Sequence, residues 1–461
     1  MTGDFGPARL WDGLLAAARG EPTSAAARAA VALSVDEGRP RLGWVIPASW
    51  AELERKLAAT GFTVPTAGGL LITTTGGWAF SASAAAQTAD PGHRLSVADT
   101  LDARCLARHL TAASCLAISA SGRTYETRLL AEVISVAWRS RASSPHWLSE
   151  ATVPGGLSVR PGAAVTAVLG APLSVPFALA CAATGVERFL GAYAFFLQAA
   201  PETGRRMAEL ACAVPIGSAT LASLDIVLPA WAGDGVRMWA LQALRQGLGG
   251  KQGRVVWCDV SHEGRPAGVE TGRTRIRLAE ALAPGTGASL AGAMIVMYAI
   301  AVLTACLGIR CGIPFASHPA VARYKALLHA GARCAELTVG SGEVTAAAAR
   351  WLAARPELTG AHLVVYGPQD LQPGAGTLGP AWEVHVGSRW NHHSYQAVQA
   401  DRRLGLVAVA ATQPPAVLTG DDVLDAALRG LHARQLAIAR ATCASLADRA
   451  LLILVVSSRP A

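Results

Sequence analysis

Short runs of β-branched and apolar residues, each followed by a turn and a helical stretch, constrain this chain more than any other feature. They are LLITTT (70–75), SCLAIS (114–119), RVVWCDVS (254–261), CAELTVG (334–340), AHLVVYG (361–367), AWEVHVG (381–387), LGLVAVAA (404–411) and ALLILVVSS (450–458). Strands alternating with helices imply parallel sheets covered on both faces, so the fold class predicted is α/β, doubly wound, with mainly parallel sheets. Residues 1–55 read as a helical N-terminal segment, 56–190 as a first α/β subdomain and 191–461 as a second. Between VPGGLSVRPG and about residue 245 the sequence reads as mostly helix.

Composition narrows the partners. The net charge is +8, yet no Lys/Arg cluster is interleaved with aromatics, so no nucleic-acid partner is expected; a dispersed basic surface suits anionic metabolites better. Nine cysteines are scattered without CxxC pairs, which fits buried, reduced thiols and a cytoplasmic location. No stretch near residue 1 combines a basic start, an apolar run and a cleavage site, and export is not expected. Ala281 to Ile309 carries no charge and is long enough for a membrane span. It reads here as a wholly buried helix of a large α/β core, and no membrane partner is expected.

The chain's chemistry concentrates in LAISASGRTYETRLL (116–130). Ser119, Ser121, Gly122, Thr124 and Thr127 cluster where a strand gives way to a helix, at the carboxyl end of a parallel strand, where open sheets bind ligands. Hydroxyls and the free N–H groups of a helix start suit a phosphate. One capping hydroxyl would serve a helix start alone, and here there are four. Lysine usage points the same way. Of 40 basic residues only Lys56, Lys251 and Lys325 are lysines, so a lysine kept in this background is a candidate for its compact, titratable ammonium. Lys56 lies in a polar helix and reads as a solvated face.

ISASGRTYET matches the SxSGxTxET signature of SIS (sugar isomerase) domains, and its neighbourhood resembles phosphoglucose isomerase. TTTGGWAFSA resembles that family's first glycine turn, LSVADTLDARCLARHL the stretch between the two turns, and VPGGLSVRPG its GGR(F/Y)S segment. WALQALRQGLGGKQGR resembles the W..QL..ES.GK segment, GIPFASHPAVARYK the NPFDQPGVE..K segment, and GSRWNHHSYQAVQ the QHS..Q segment. The likeness covers about residues 65–400, with the histidine segment after the lysine segment, as in the form fused to transaldolase.

The resemblance implies two SIS-type, flavodoxin-like subdomains holding a small phosphorylated sugar between them, no cofactor, and a homodimer. It places the phosphate on Ser119, Ser121, Gly122, Thr124 and Thr127, and the substrate pocket at Gly76, Gly77, Trp78, Gly156, Leu157, Gly247 and Lys251. Lys325 falls at the family's catalytic lysine, and the catalytic histidine is His393 in one alignment and His392 in the other. No metal is expected at that pair, which lacks Asp, Glu or Cys at ligand spacing. Three positions depart from the family. Its catalytic glutamate aligns with Gly247 or, one residue away, Gln246; its enediolate-binding arginine aligns with Leu157; its first-turn serine aligns with Trp78. Neither glycine nor an amide can act as a carboxylate base. Asp234, Glu263 and Glu270 are the alternatives for that role. The expected activity is aldose–ketose isomerisation, an intramolecular oxidoreduction through an enediol. The alternatives are a non-catalytic sugar-phosphate-binding protein and an enzyme of specialised metabolism that reuses the pocket.

Overall fold

The computed structural model describes all residues except 1–4, 37, 64–67, 90–93, 120–121, 123, 142, 150–156, 159–168, 171–174, 183–184, 216–220, 251–254, 265–273, 284, 368–370, 374–377, 380, 417–418 and 457–461. Each of the eight apolar runs forms a strand. The described residues fall into two compact units, Met1–Val97, Ala112–Thr124 and His146–His318 in the first, Ala98–Thr111, Tyr125–Pro145 and Pro319–Ala461 in the second. Residues 190 and 191, where the sequence reading divides the subdomains, lie inside the helix Val186–Ala213.

The first unit opens with helices and an antiparallel ribbon, β1 (Val35–Asp36) with β2 (Arg39–Pro40). Its larger sheet holds β3 (Leu70–Thr73), β4 (Leu95–Ala98), β5 (Ser114–Ile118), β6 (His146–Ser149) and β7 (Leu157–Ser158) in the order β4-β3-β5-β6-β7. β3, β5, β6 and β7 pair in parallel. A second parallel sheet holds β8 (Leu221–Leu228), β9 (Val255–His262) and β10 (Thr274–Arg277), with β8 at its centre. The region up to about residue 245 is mostly helix as read, in Val175–Ala182, Val186–Ala213 and Asp234–Leu248, and β8 is the strand that reading missed. Asp225 and Ser223 interrupt the apolar run of LASLDIVL and hide its strand character.

The uncharged stretch forms the helix Leu290–Cys311, in which every residue but Arg310 is buried. It is long and apolar enough to cross a bilayer, yet the first unit encloses it completely. Ser289 starts it by accepting a hydrogen bond from the Gly292 N–H at 3.0 Å, and Gly312, in the left-handed region at φ 64°, ends it. Arg310 turns its guanidinium to the carbonyls of Ala211 and Val214, which close the helix Val186–Ala213 alongside.

The second unit is built on five parallel strands, β11 (Glu336–Gly340), β12 (Gly360–Val365), β13 (Trp382–Val386), β14 (Leu404–Ala411) and β15 (Ala450–Val456), in the order β11-β15-β14-β12-β13. One face packs Leu363, Val365, Val407, Val409, Ile453 and Val455 into a core. The chain runs from β12 to β13 on one side and returns to β14 on the other, so the strand order reverses beside β12.

Candidate functional site

In the first unit the strand order reverses between β3 and β5, and both glycine turns leave from the carboxyl ends of these two strands. Gly76 and Gly122 hold φ angles of 67° and 63°, which a side chain would strain. Thr74 Oγ1 donates to the Ile118 carbonyl at 2.7 Å and ties the turns together. Within the second turn the Gly122 N–H donates to the Ser119 carbonyl at 3.0 Å, and the Thr124 N–H to Ser119 Oγ at 3.3 Å. The hydroxyls of Ser119 and Thr124 lie 2.8 Å apart. Ser119 is buried and shapes the turn, while Thr124 is half-buried. Ser121, Gly156, Lys251 and Glu270 lie outside the described residues, as does the side chain of Leu157. Gly77 begins the helix Gly77–Ala89, and Trp78 packs its half-buried indole against the unit's hydrophobic core.

The positions aligned with the family's glutamate belong to the helix Asp234–Leu248. Gly247 faces Thr304 of the buried helix so closely that a Cβ would stand 2.5 Å from Thr304 Cγ2. Glycine is there because two helices touch. Gln246 is buried and accepts a hydrogen bond from Gln242 Nε2 at 3.0 Å. Asp234 is exposed at the helix start and paired with Arg237, and Glu263 is exposed. No carboxylate at these described positions is sheltered as a proton-transfer base requires.

A sheltered carboxylate stands in the second unit, inside the SxSGxTxET motif itself. Glu126 lies in the first turn of the helix Tyr125–Ala137, with its side chain 3% exposed. Its Oε1 is 3.7 Å from His392 Nε2, and neither atom has a hydrogen-bond partner. Burial works to raise the carboxyl's pKa, but the imidazole of His392, the backbone N–H of Glu126 itself and, least, the charge of Lys325 together outweigh it and hold the value below the ordinary one. Lys325, half-buried on the helix Pro319–His329, is therefore within electrostatic reach of Glu126.

Two further polar atoms here are buried without partners, Thr127 Oγ1 and the hydroxyl of Tyr324. Burial, with the charge of Glu126 second, pushes that phenol well above its usual range. Four unpartnered buried polar atoms, from Glu126, Thr127, Tyr324 and His392, are unusual, because interiors pair nearly all such groups. They are what a polar ligand would satisfy.

The two adjacent histidines diverge. His392 turns to Glu126, whereas His393 is buried, with Nδ1 2.6 Å from Ser394 Oγ and its ring 5.1 Å from that of His385. Of the residues singled out in the sequence, the second unit brings Lys325 and His392 together around Glu126, with Thr127 the next residue on the same helix. The residues missed are Glu126 and Tyr324. Glu126 was legible as the motif's ET glutamate; its burial depended on elements some 200 residues away, at Pro319–His329 and Arg389–His393.

No protein-family model matches the chain, and no curated protein matches it in sequence. Among solved structures the chain is similar to a hypothetical protein from Thermus thermophilus, with 17% identity, 70% of this chain and 98% of that one covered, and a TM-score of 0.53. It is also similar to a glucose-6-phosphate isomerase from Chlamydia trachomatis, with 14% identity, 64% of this chain and 79% of that one covered, and a TM-score of 0.45. What the likeness to the Thermus protein supports is the fold, an α/β architecture of mainly parallel sheets.

Proposed function

We propose that the chain is a phosphoglucose isomerase-like protein that binds a phosphorylated sugar and interconverts its aldose and ketose forms. The observation that carries this reading is the buried Glu126–His392 pair, within electrostatic reach of Lys325, whose facing atoms Oε1 and Nε2 make no hydrogen bond, with its glutamate inside the phosphate-turn motif. With Nε2 of His392 turned to the carboxylate, Nδ1 is the nitrogen left to exchange a proton. Glu126, kept ionised at neutral pH, fixes that tautomer and stabilises the imidazolium when it forms. His392 then takes the proton from C2 of the open-chain aldose and returns it to C1 of the enediol, while the O2 proton passes to O1, so that the carbonyl moves from C1 to C2. The Lys325 ammonium offsets the charge that develops on oxygen. Thr127, on the helix of Glu126, is assigned to the phosphate by the motif.

A second reading, a sugar-phosphate-binding protein without catalysis, is favoured by the tight packing at Gly247 and Gln246. Incubation with glucose 6-phosphate or fructose 6-phosphate in D2O, followed by NMR, separates the two. Deuterium entering at C1 or C2, and lost in His392→Asn, is the expected result. Binding without exchange supports the second reading, and absence of binding overturns both.

A further inference from the structure

β12 and β13 pair so that His362 stands opposite Glu383 and Val364 opposite His385. Trp382 and Val384 pack with Leu363 and Val365 on the core face, so the alternate residues His362, Glu383 and His385 share the other one. One ligand atom from each of these three lies within 4.8 Å of the others. Glu383 Oε2 is 3.1 Å from His385 Nε2 and 3.8 Å from His362 Nδ1. A tetrahedral ion with bonds near 2.1 Å spaces its donor atoms about 3.4 Å apart, so these separations need only small adjustments. The rings of His362 and His385 stack at 5.2 Å and 15°. The His362 side chain is 2% exposed and that of Glu383 35%, which gives the cluster a closed floor and an entry side.

We propose that His362, Glu383 and His385 form a binding site for a divalent transition metal of the zinc class. Two imidazoles and one carboxylate are a donor set that zinc favours, and three protein ligands leave a fourth position for water or an anion. The site uses none of Glu126, His392 and Lys325. It also carries a reporter. The indole N–H of Trp390 donates to His362 Nδ1 at 3.1 Å. A nitrogen cannot accept that proton and bind an ion at once, so metal uptake displaces the indole and changes the emission of Trp390.

The test is equilibrium dialysis of the tag-free, chelator-stripped full chain against Zn2+, with Co2+ as a spectroscopic probe. The expected result is one ion per chain and a tetrahedral Co2+ absorption band, with binding at least about tenfold weaker in Glu383→Gln and in His385→Ala. Glu383→Gln, conservative and partly exposed, carries the test if His385→Ala does not fold. Uptake retained in His392→Asn would separate this site from the proposed reaction centre, and its loss would overturn the assignment. Co2+ quenches tryptophan emission in the wild type and less in Trp390→Phe. The proposal fails if the wild type takes up no stoichiometric ion, if Glu383→Gln binds as tightly as the wild type, or if Trp390→Phe leaves the quenching unchanged.

Discussion

The helix Leu290–Cys311 in one unit and the strand pair β12–β13 in the other both derive from apolar runs, yet they bury different things. Around the helix the burial is almost wholly hydrocarbon; of the polar atoms on the neighbouring helix Asp234–Leu248, Trp239 Nε1 and Gln242 Oε1 have no partner, while others are satisfied. Arg245, for instance, donates to the Cys258 carbonyl at 2.8 Å, pairs with Asp259 and lies over the Trp257 ring at 4.3 Å. Beside the hydrocarbon core of β12 and β13 the burial also includes polar networks. Asn391 donates to Thr442 Oγ1 at 2.8 Å and accepts from the Tyr366 hydroxyl, and Tyr395 donates to Ser445 Oγ at 2.7 Å. Several neighbouring polar atoms have no partner at all. The difference teaches how to weigh a motif. In the first unit, Gly247 and Gln246, aligned with a catalytic position, serve packing; in the second, Glu126 and His392 face each other with atoms that make no hydrogen bond, and the proposed chemistry is placed there.

The most damaging way to probe this contrast is to place the family's carboxylate where the alignment puts it. Gly247→Glu drives a Cβ into Thr304 and buries a charge between helices, so a loss of at least about 3 kcal/mol in denaturant unfolding is expected. Wild-type stability in that variant would show the helix contact to be loose and the contrast false.

Glu126→Gln comes next. It keeps the shape of the side chain and removes the charge that orients His392, and the rate of deuterium exchange should fall about 10²- to 10⁴-fold. A fold preserved by circular dichroism assigns the loss to chemistry. Unchanged exchange would make the pair merely structural.

Acid unfolding sharpens the same point on a smaller scale. The folded pKa of Glu126 lies below the ordinary value, so its ionised form contributes stability above the unfolded pKa of about 4.3. That contribution is lost as pH falls through the folded value. The wild-type Tm should therefore drop more steeply than that of Glu126→Gln below about pH 4.3, as followed by thermal melts from neutral pH downward. Parallel curves would remove the electrostatic account.

The smallest effect separates satisfied from unsatisfied hydroxyls. Tyr324→Phe deletes an unpartnered buried hydroxyl and should change stability by no more than about 0.5 kcal/mol, whereas Tyr395→Phe breaks the bond to Ser445 and should cost about 1–2 kcal/mol. Equal costs in urea unfolding would mean that Tyr324 is satisfied in solution.

Much of the fold was legible because its strands announce themselves. Runs such as LGLVAVAA and ALLILVVSS are apolar throughout, as strands buried on both faces must be. β8 was not legible, because Asp225 in its middle is satisfied by Ser261 and Arg275 from the strands on either side. The candidate site was half legible. The family resemblance picked out Lys325, Thr127 and the histidine pair, but choosing His392 needed the knowledge of which ring meets Glu126. Likewise the His362, Glu383 and His385 cluster joins residues more than 20 positions apart through strand register, which local pattern does not encode.

The second unit draws on three separate stretches, 98–111, 125–145 and 319–461. A ribosome that has finished the second stretch must add residues 146–318 before it begins the third, a delay on the order of ten to thirty seconds. Throughout that interval the nascent chain holds the helix of Glu126 and Thr127 without the elements that bury it. The half-made protein therefore exposes an apolar helix face, a natural client for chaperones until synthesis is nearly over.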